Sequence, residues 1–304
     1  MFGREFNVTD GAGRCKRPNL GRFPETRGTM RTIQADETQQ KLKELKIYGY
    51  TVINDYMDSA TVAKLLSLTN QLYDPEKHRM FAGRPERELD DKFVYNLQNK
   101  DKAYIDLLSE PSLTKILMEN LNDPYYKHIP PEYPNYILSF YNARSSGPQL
   151  DLHTDTFVPS PGEKTWVMQA AFFLEDATVE NGCTILVPGS HISGKFVDRQ
   201  LAKLEYVEVK AGTLVLWDSR IWHGTTENKS KKSRWSLIAT FSAWWVKQRS
   251  DMTRSVPEEI YQKLTDSQKV LLGFCSIPPK SEMERLNFKG GYKELRPSVA
   301  DYYR

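Results

Sequence analysis

The chain has 304 residues, 39% apolar and 27% charged, with a formal net charge of +3 at pH 7. That length is ample for a buried core, and so small a charge, spread without a basic stripe, excludes the usual footprint of nucleic-acid binding. No apolar run reaches the roughly 18 residues of a membrane span, the start MFGREFNVTDGAGRCKR lacks an apolar signal core, and Cys15, Cys183 and Cys275 form no CxxC pair or disulfide framework. A cytoplasmic protein is expected, monomeric or weakly dimeric, acting on a small molecule and partnered by neither nucleic acid nor membrane.

Residues 1–33, rich in Gly, Arg, Asn and Pro, read as an irregular arm. DETQ (36–39) has the form of a capping box with Asp36 as N-cap, and the helix it starts stops at Gly49. TVIND (51–55) reads as a strand and 59–74 as an amphipathic helix. Residues 75–98 are charged and carry few regular signals, so this stretch, or part of 156–164, is expected either to act as a lid or to be an ordinary helical connection. Helical segments follow near 100–108 and 111–121, making 34–133 mostly helical.

From Pro134 the texture changes. NYILSFYNA, TWVMQAAFFLEDA, GCTILVPGSH, LEYVEV, GTLVLWD, IWHGTT and RWSLIATFSAWWV are rich in β-branched and aromatic residues and are separated by turn formers. Residues 257–274 return to helix, and 247–304 form a C-terminal helix and tail. The expected architecture is one α+β domain over 1–304. Its core, 134–246, is mainly β: a double-stranded β-helix (a jelly roll, cupin-like) wrapped by N- and C-terminal helices.

Within this block stands QLDLHTDTF. Side chains at i and i+2 of a strand share a face, so His153 and Asp155 can converge on one point. His223, in DSRIWHGTTEN, lies several strands later, where a jelly roll can return it beside them. Two imidazoles and one carboxylate form the facial triad of non-haem Fe(II) oxygenases; neither HExxH nor an all-histidine zinc set occurs. Alone, an HxD pair is as readily a polar strand end. Downstream, Arg234 opens a strand on which Ser236 shares its face and no acid lies. A buried arginine wants a carboxylate, supplied either by a ligand or by a distant Asp or Glu.

Taken together, HTD, NGCTILVPGSH and HG-x3-N-x-S-x3-R, in this order and spacing, resemble the phytanoyl-CoA dioxygenase family of Fe(II)/2-oxoglutarate oxygenases. The resemblance runs from about residue 36 to about 275 and is sharpest over 138–243. It implies Fe(2+), 2-oxoglutarate and O2, with His153, Asp155 and His223 as the catalytic iron ligands. It also puts Arg234 on the distal carboxylate of the cosubstrate, with Thr225 and, less centrally, Ser236 assisting. Where the family often carries an aromatic residue, this chain has Ala171, and Gln169 on the same face is expected to supply polar contact. Halogenating relatives carry a small residue at the carboxylate position, so Asp155 points away from halogenation.

Leu138 and Asn142 are expected to look into the barrel, Asn142, Arg144 and Phe157 to meet substrate, and Arg220 to face away from His223. His191 reads as structural or rim, not as a ligand, and His78 and His128 as incidental. The implied activity is oxidation of a C–H bond of a small polar metabolite, an amino-acid derivative or natural-product intermediate, by hydroxylation, cyclisation or desaturation, with release of succinate and CO2. The rival readings are an acyl-CoA 2-hydroxylase and a non-catalytic cupin-like protein that binds metal and 2-oxo acid.

Overall fold

The computed structural model describes residues 30–76, 91–125, 129, 133–145, 147–156, 160–230 and 232–277. His78, His128, Phe157, Cys15, most of the 75–98 stretch and residues 157–159 of the second candidate lid lie outside them.

Helix α1 spans Ala35–Tyr48. Its N-cap is Gln34, with no side-chain cap, so the capping box expected at Asp36 is not formed. Asp36 and Glu37 sit inside the first turn instead, where carboxylates favour the positive end of the helix. Gly49 ends the helix in the left-handed region at φ +83°, and a Cβ there would stand 2.5 Å from Nδ1 of the buried His191. Strain and clash combine, so Gly49→Ala is expected to lower stability by about 1–3 kcal/mol. A melting temperature within about 2 °C of the parent would contradict this.

Strand β1 (Tyr50–Ile53) and helix α2 (Ser59–Leu72) follow, the latter capped by Asp58 Oδ1 accepting from Thr61 N–H. Strand β2 (Lys92–Tyr95), helix α3 (Lys102–Leu108) and helix α4 (Pro111–Leu121) complete the N-terminal part. β2 falls in a stretch that the sequence reads as irregular.

The remaining strands are β3 (Tyr136–Ser145), β4 (Leu150–His153), β5 (Val167–Phe173), β6 (Thr184–Leu186), β7 (Glu205–Val207), β8 (Leu214–Asp218), β9 (His223–Thr225) and β10 (Ser236–Ala243). They form two antiparallel sheets, β1-β8-β5-β10-β3-β2 and β4-β9-β6-β7. This is the jelly roll. The short helix α5 (Ser190–Ser193) follows β6. After β10 comes the short helix α6 (Met252–Ser255), and the single helix expected over 257–274 is broken into α7 (Glu258–Tyr261) and α8 (Asp266–Leu271). The break has a local cause: Thr265 and Gln268 form a capping box that starts a new helix.

Alternation sorts the large sheet into two faces. Leu216, Ala170, Phe172, Leu237, Ala239, Phe241 and Tyr141 pack with helix residues such as Leu65, Tyr104, Leu113 and Ile116. Val215, Trp217, Ala171, Phe173 and Ile238 turn the other way, toward Leu186, Cys183 and Ile221 of the small-sheet side. The functional pocket opens between the sheets. Leu138 departs from expectation here. Phe140 pairs with Thr240 but Leu138 pairs with Phe241, so Ser139 is an extra residue, a β-bulge that reverses the alternation. Leu138 therefore packs on the helix side while Asn142 keeps its inward face. Among the described residues no helix is long and apolar enough to cross a membrane.

Candidate active site

The site is assembled from the facing strands. On the small sheet, His153 of β4 pairs with His223 of β9, whose other neighbour is Leu186 of β6. Gly224 has no room for a side chain, because a Cβ would collide with the Leu150 carbonyl oxygen. That explains why a glycine follows the histidine: β9 lies hard against β4.

His153 Nε2 stands 3.8 Å from Asp155 Oδ1, His223 Nε2 3.3 Å from Asp155 Oδ2, and the two rings are 4.3 Å apart. His153 Nδ1 lies 2.9 Å from the Asp151 carbonyl oxygen, and His223 Nδ1 3.0 Å from that of Ile221. A carbonyl only accepts, so each Nδ1 carries the proton and each Nε2 turns a lone pair toward Asp155. Burial, then the neighbouring His223, hold the His153 imidazole below its usual range, which favours this neutral form.

One ligand atom from each of the three residues lies within 4.8 Å of the others. An octahedral face with bonds near 2.1 Å has edges of about 3 Å, so the two histidine–aspartate separations need to close by less than about 1 Å and no pair by more than about 2 Å for the three to meet one ion. Two neutral imidazoles and a carboxylate are the donor set of a facial Fe(II) site. The residues fit the metal.

The same cavity, about 230 Å³, is lined on the large-sheet side by inward rows of the strands. One row runs Trp217–Gln169–Thr240–Phe140, and the next includes Ala171, Ile238 and Asn142. A third includes Phe173, Ser236, Arg144 and Phe93. Gln169 Oε1 accepts from Thr240 Oγ1 at 2.6 Å, and Thr225 Oγ1 accepts from Leu150 N–H at 3.2 Å. Ser236 Oγ lies 3.4 Å from the Arg144 carbonyl oxygen. Asn142 Oδ1 is buried without a hydrogen-bond partner.

Arg234 lies two residues before β10 and is only 3% exposed. Its Nε donates to the Asn181 carbonyl at 3.2 Å and its backbone N–H to Ser145 Oγ at 2.8 Å. Among the described residues it forms no ion pair. Glu175 accepts from Trp235 N–H and is itself pushed up by burial, and Asp91 is taken up by Arg144. Desolvation first, then the nearby Arg144, bring the Arg234 guanidinium down to about 10. A buried cation so placed is stabilised by an anionic ligand.

Arg144 differs. Its guanidinium meets Asp91 through two bonds, Nε to Oδ1 at 3.1 Å and Nη2 to Oδ2 at 2.8 Å, and lies over the Phe93 ring at 5.1 Å. It lines the cavity, but its fork is matched by the protein. Arg220 is sealed in a bidentate pair with Asp218, both 4% exposed, and does not line the cavity. His191 lies under Gly49, held below its usual range by burial, and is not among the cavity-lining residues.

Trp217, Thr240, Phe93 and Arg249 also line the cavity and were not singled out from sequence. For Trp217 the signal was available, because it alternates with Val215 in GTLVLWD.

The phytanoyl-CoA dioxygenase (PhyH) family model matches residues 45–236. The chain is 25% identical over 193 residues to the dioxygenase af480 of Aspergillus fumigatus, covering 60% of this chain and 59% of that relative. Among solved structures, HygX of Streptomyces hygroscopicus with nickel and 2-oxoglutarate bound aligns at a TM-score of 0.55 and 15% identity, over 69% of this chain and 89% of that one. The epimerase SnoN of nogalamycin biosynthesis aligns at 0.51 and 19%, over 69% and 84%. These structures share the jelly roll. The chain belongs to the phytanoyl-CoA dioxygenase family and is a 2-oxoglutarate-dependent non-haem iron dioxygenase.

Proposed function

We propose that this enzyme oxidises a C–H bond of a small, polar, carboxylate-bearing metabolite of the amino-acid or natural-product type. His153, Asp155 and His223 hold the iron, and Arg234 holds the distal carboxylate of 2-oxoglutarate. Bound Fe(II), with 2-oxoglutarate and O2, supplies the oxidation: one oxygen atom goes to the substrate and the other to succinate as CO2 leaves.

The observation that carries the reading is the buried Arg234, unmatched by any carboxylate among the described residues, in the same cavity as the three ligand side chains. Fixing the cosubstrate at its far end orients it before reaction. Thr225 and Ser236 border that end and offer hydroxyls, while Gln169 is oriented by Thr240 and keeps its amide NH2 as a donor. The chain's other work is to exclude water and present one bond of the substrate; the oxidation itself belongs to the metal.

Substrate class follows from the walls. A long acyl chain wants an extended apolar channel, whereas this cavity is small and mixes Phe140 and Phe173 with Asn142, Gln169, Thr225 and Ser236. HygX, crystallised with hygromycin B bound, and the epimerase SnoN, from nogalamycin biosynthesis, favour a natural-product type of substrate here as well. Hydroxylation is the default outcome, with cyclisation or desaturation the variants.

Two measurements test this. Anaerobic addition of 2-oxoglutarate to the Fe(II)-loaded protein should raise a weak visible charge-transfer band. A metabolite library read by succinate release should return small carboxylates. Stimulation by long-chain acyl-CoA thioesters, and not by amino-acid-like compounds, overturns the substrate class.

A further inference from the structure

Between β8 and β9 the chain turns through Asp218, Ser219, Arg220 and Ile221. Ile221 N–H closes the turn on the Asp218 carbonyl at 2.9 Å, and aspartate is a preferred residue to open such a turn. Asp218 Oδ1 also accepts from Arg220 N–H at 2.9 Å, the local bond that makes aspartate a turn former. The same carboxylate takes both arms of the Arg220 fork, Nε to Oδ1 at 3.0 Å and Nη2 to Oδ2 at 2.8 Å. Thr165 Oγ1 donates to Oδ2 as well, at 2.7 Å, and the remaining arm of Arg220, Nη1, donates to the Gly162 carbonyl at 2.7 Å.

Two carbonyls of this turn serve the metal ligands. The Ser219 carbonyl accepts from Asp155 N–H at 3.0 Å, and the Ile221 carbonyl from His223 Nδ1 at 3.0 Å. β4 ends at His153, so the Ser219 carbonyl, not the pairing of β4 with β9, holds Asp155. The turn itself is fixed from outside, by Asp218 N–H on the Gly49 carbonyl at 2.9 Å and Ser219 N–H on that of Val167 at 3.0 Å. Two of the three ligand residues thus take their places from four consecutive residues.

Stability alone does not account for the ion pair. Both side chains are 4% exposed, and sealed charges lose so much hydration that well-packed apolar replacements are often as stable or more so. What a bidentate fork adds is direction as well as distance. We propose that Asp218 and Arg220 are positioning residues for the metal centre: their fork sets the turn whose carbonyls place Asp155 and orient His223. This deepens the functional reading above and rests on it.

The test uses the full chain and Fe(II) alone, titrated anaerobically against a chromogenic chelator, with melting of the metal-free chain followed in parallel. Outer-shell partners of metal ligands commonly contribute 10- to about 100-fold in affinity, so Asp218→Asn and Arg220→Met should each weaken Fe(II) binding by about that much. Arg220→Lys keeps the charge without the fork and should show part of the loss. The paired change Asp218→Leu with Arg220→Met separates position from stability. Removing both charges should return much of the melting temperature and leave Fe(II) binding weak. Glu110→Gln controls for destabilisation at a distance, since Glu110 accepts from Tyr56 Oη and from the N–H groups of Ser112 and Leu113. It should lower the melting temperature and leave Fe(II) affinity near that of the parent.

Fe(II) affinity within about threefold of the parent in the paired variant, or in Arg220→Lys should the others not fold, overturns the proposal, because it falls short of any outer-shell contribution. So does a weakening by Glu110→Gln as large as theirs. Failure of the underlying reading looks different, because the parent would then bind Fe(II) no more tightly than His223→Ala.

Discussion

His153→Ala, Asp155→Ala and His223→Ala each abolish succinate formation and Fe(II) binding while the chain still melts cooperatively. Losing even an outer-shell partner of a metal ligand commonly costs 10- to about 100-fold, so removal of a ligand itself should exceed that range. The fold should survive for a local reason. Each imidazole contributes one bond to a carbonyl two residues upstream, and Asp155 keeps its place through its backbone N–H to the Ser219 carbonyl at 3.0 Å. None of the three side chains anchors a core cluster. Asp155→Asn is the sharper variant, since it keeps shape and removes charge. Metal titration followed by succinate release checks the set, and full activity in any one alanine variant would mean that the iron lies elsewhere.

The convergence of His153, Asp155 and His223 was legible in the sequence, although not wholly for the reason that the sequence offered. A turn-bounded strand carries His223 back beside His153, but the period of two is not what positions Asp155: β4 ends at His153, and Asp155 lies in the turn beyond it, held by its backbone N–H to the Ser219 carbonyl. The inward rows of the large sheet do follow the period of two, and Asn142, Gln169 and Ser236 stand where alternation puts them. It failed at Leu138, because the extra residue Ser139 in β3 is visible only once β10 is paired with it. Asp36 misled for a smaller reason: its carboxylate suits a cap and a first turn equally, and only the backbone at Gln34 decides between them. Strand β2 was too short to read, and with it went Asp91, the partner that occupies Arg144. Arg249 carried no periodic signal at all, because long-range hydrogen bonds to the bulge, not a strand, bring it to the cavity.

Arg234→Ala should raise the apparent KM for 2-oxoglutarate far more than it changes the concentration dependence of the primary substrate. Losing one partner of a desolvated charge pair costs about 2–5 kcal/mol, which is about 30- to several-thousand-fold. The upper part of that range applies if the cavity is dry around the guanidinium, as its burial indicates. Arg234→Lys tests geometry separately from charge. An ammonium restores the attraction but not the planar fork, so recovery should be partial. Arg144 gives the contrast needed to assign the effect. It lines the same cavity and is also a cation, but Asp91 already accepts both arms of its fork, so Arg144→Gln should shift the KM for 2-oxoglutarate much less than Arg234→Gln. Comparable shifts in the two variants would mean that the cosubstrate is held by the summed positive potential of the cavity; a change below about threefold at Arg234 would assign the carboxylate to another cation altogether, because threefold lies far under the cost of a lost buried contact.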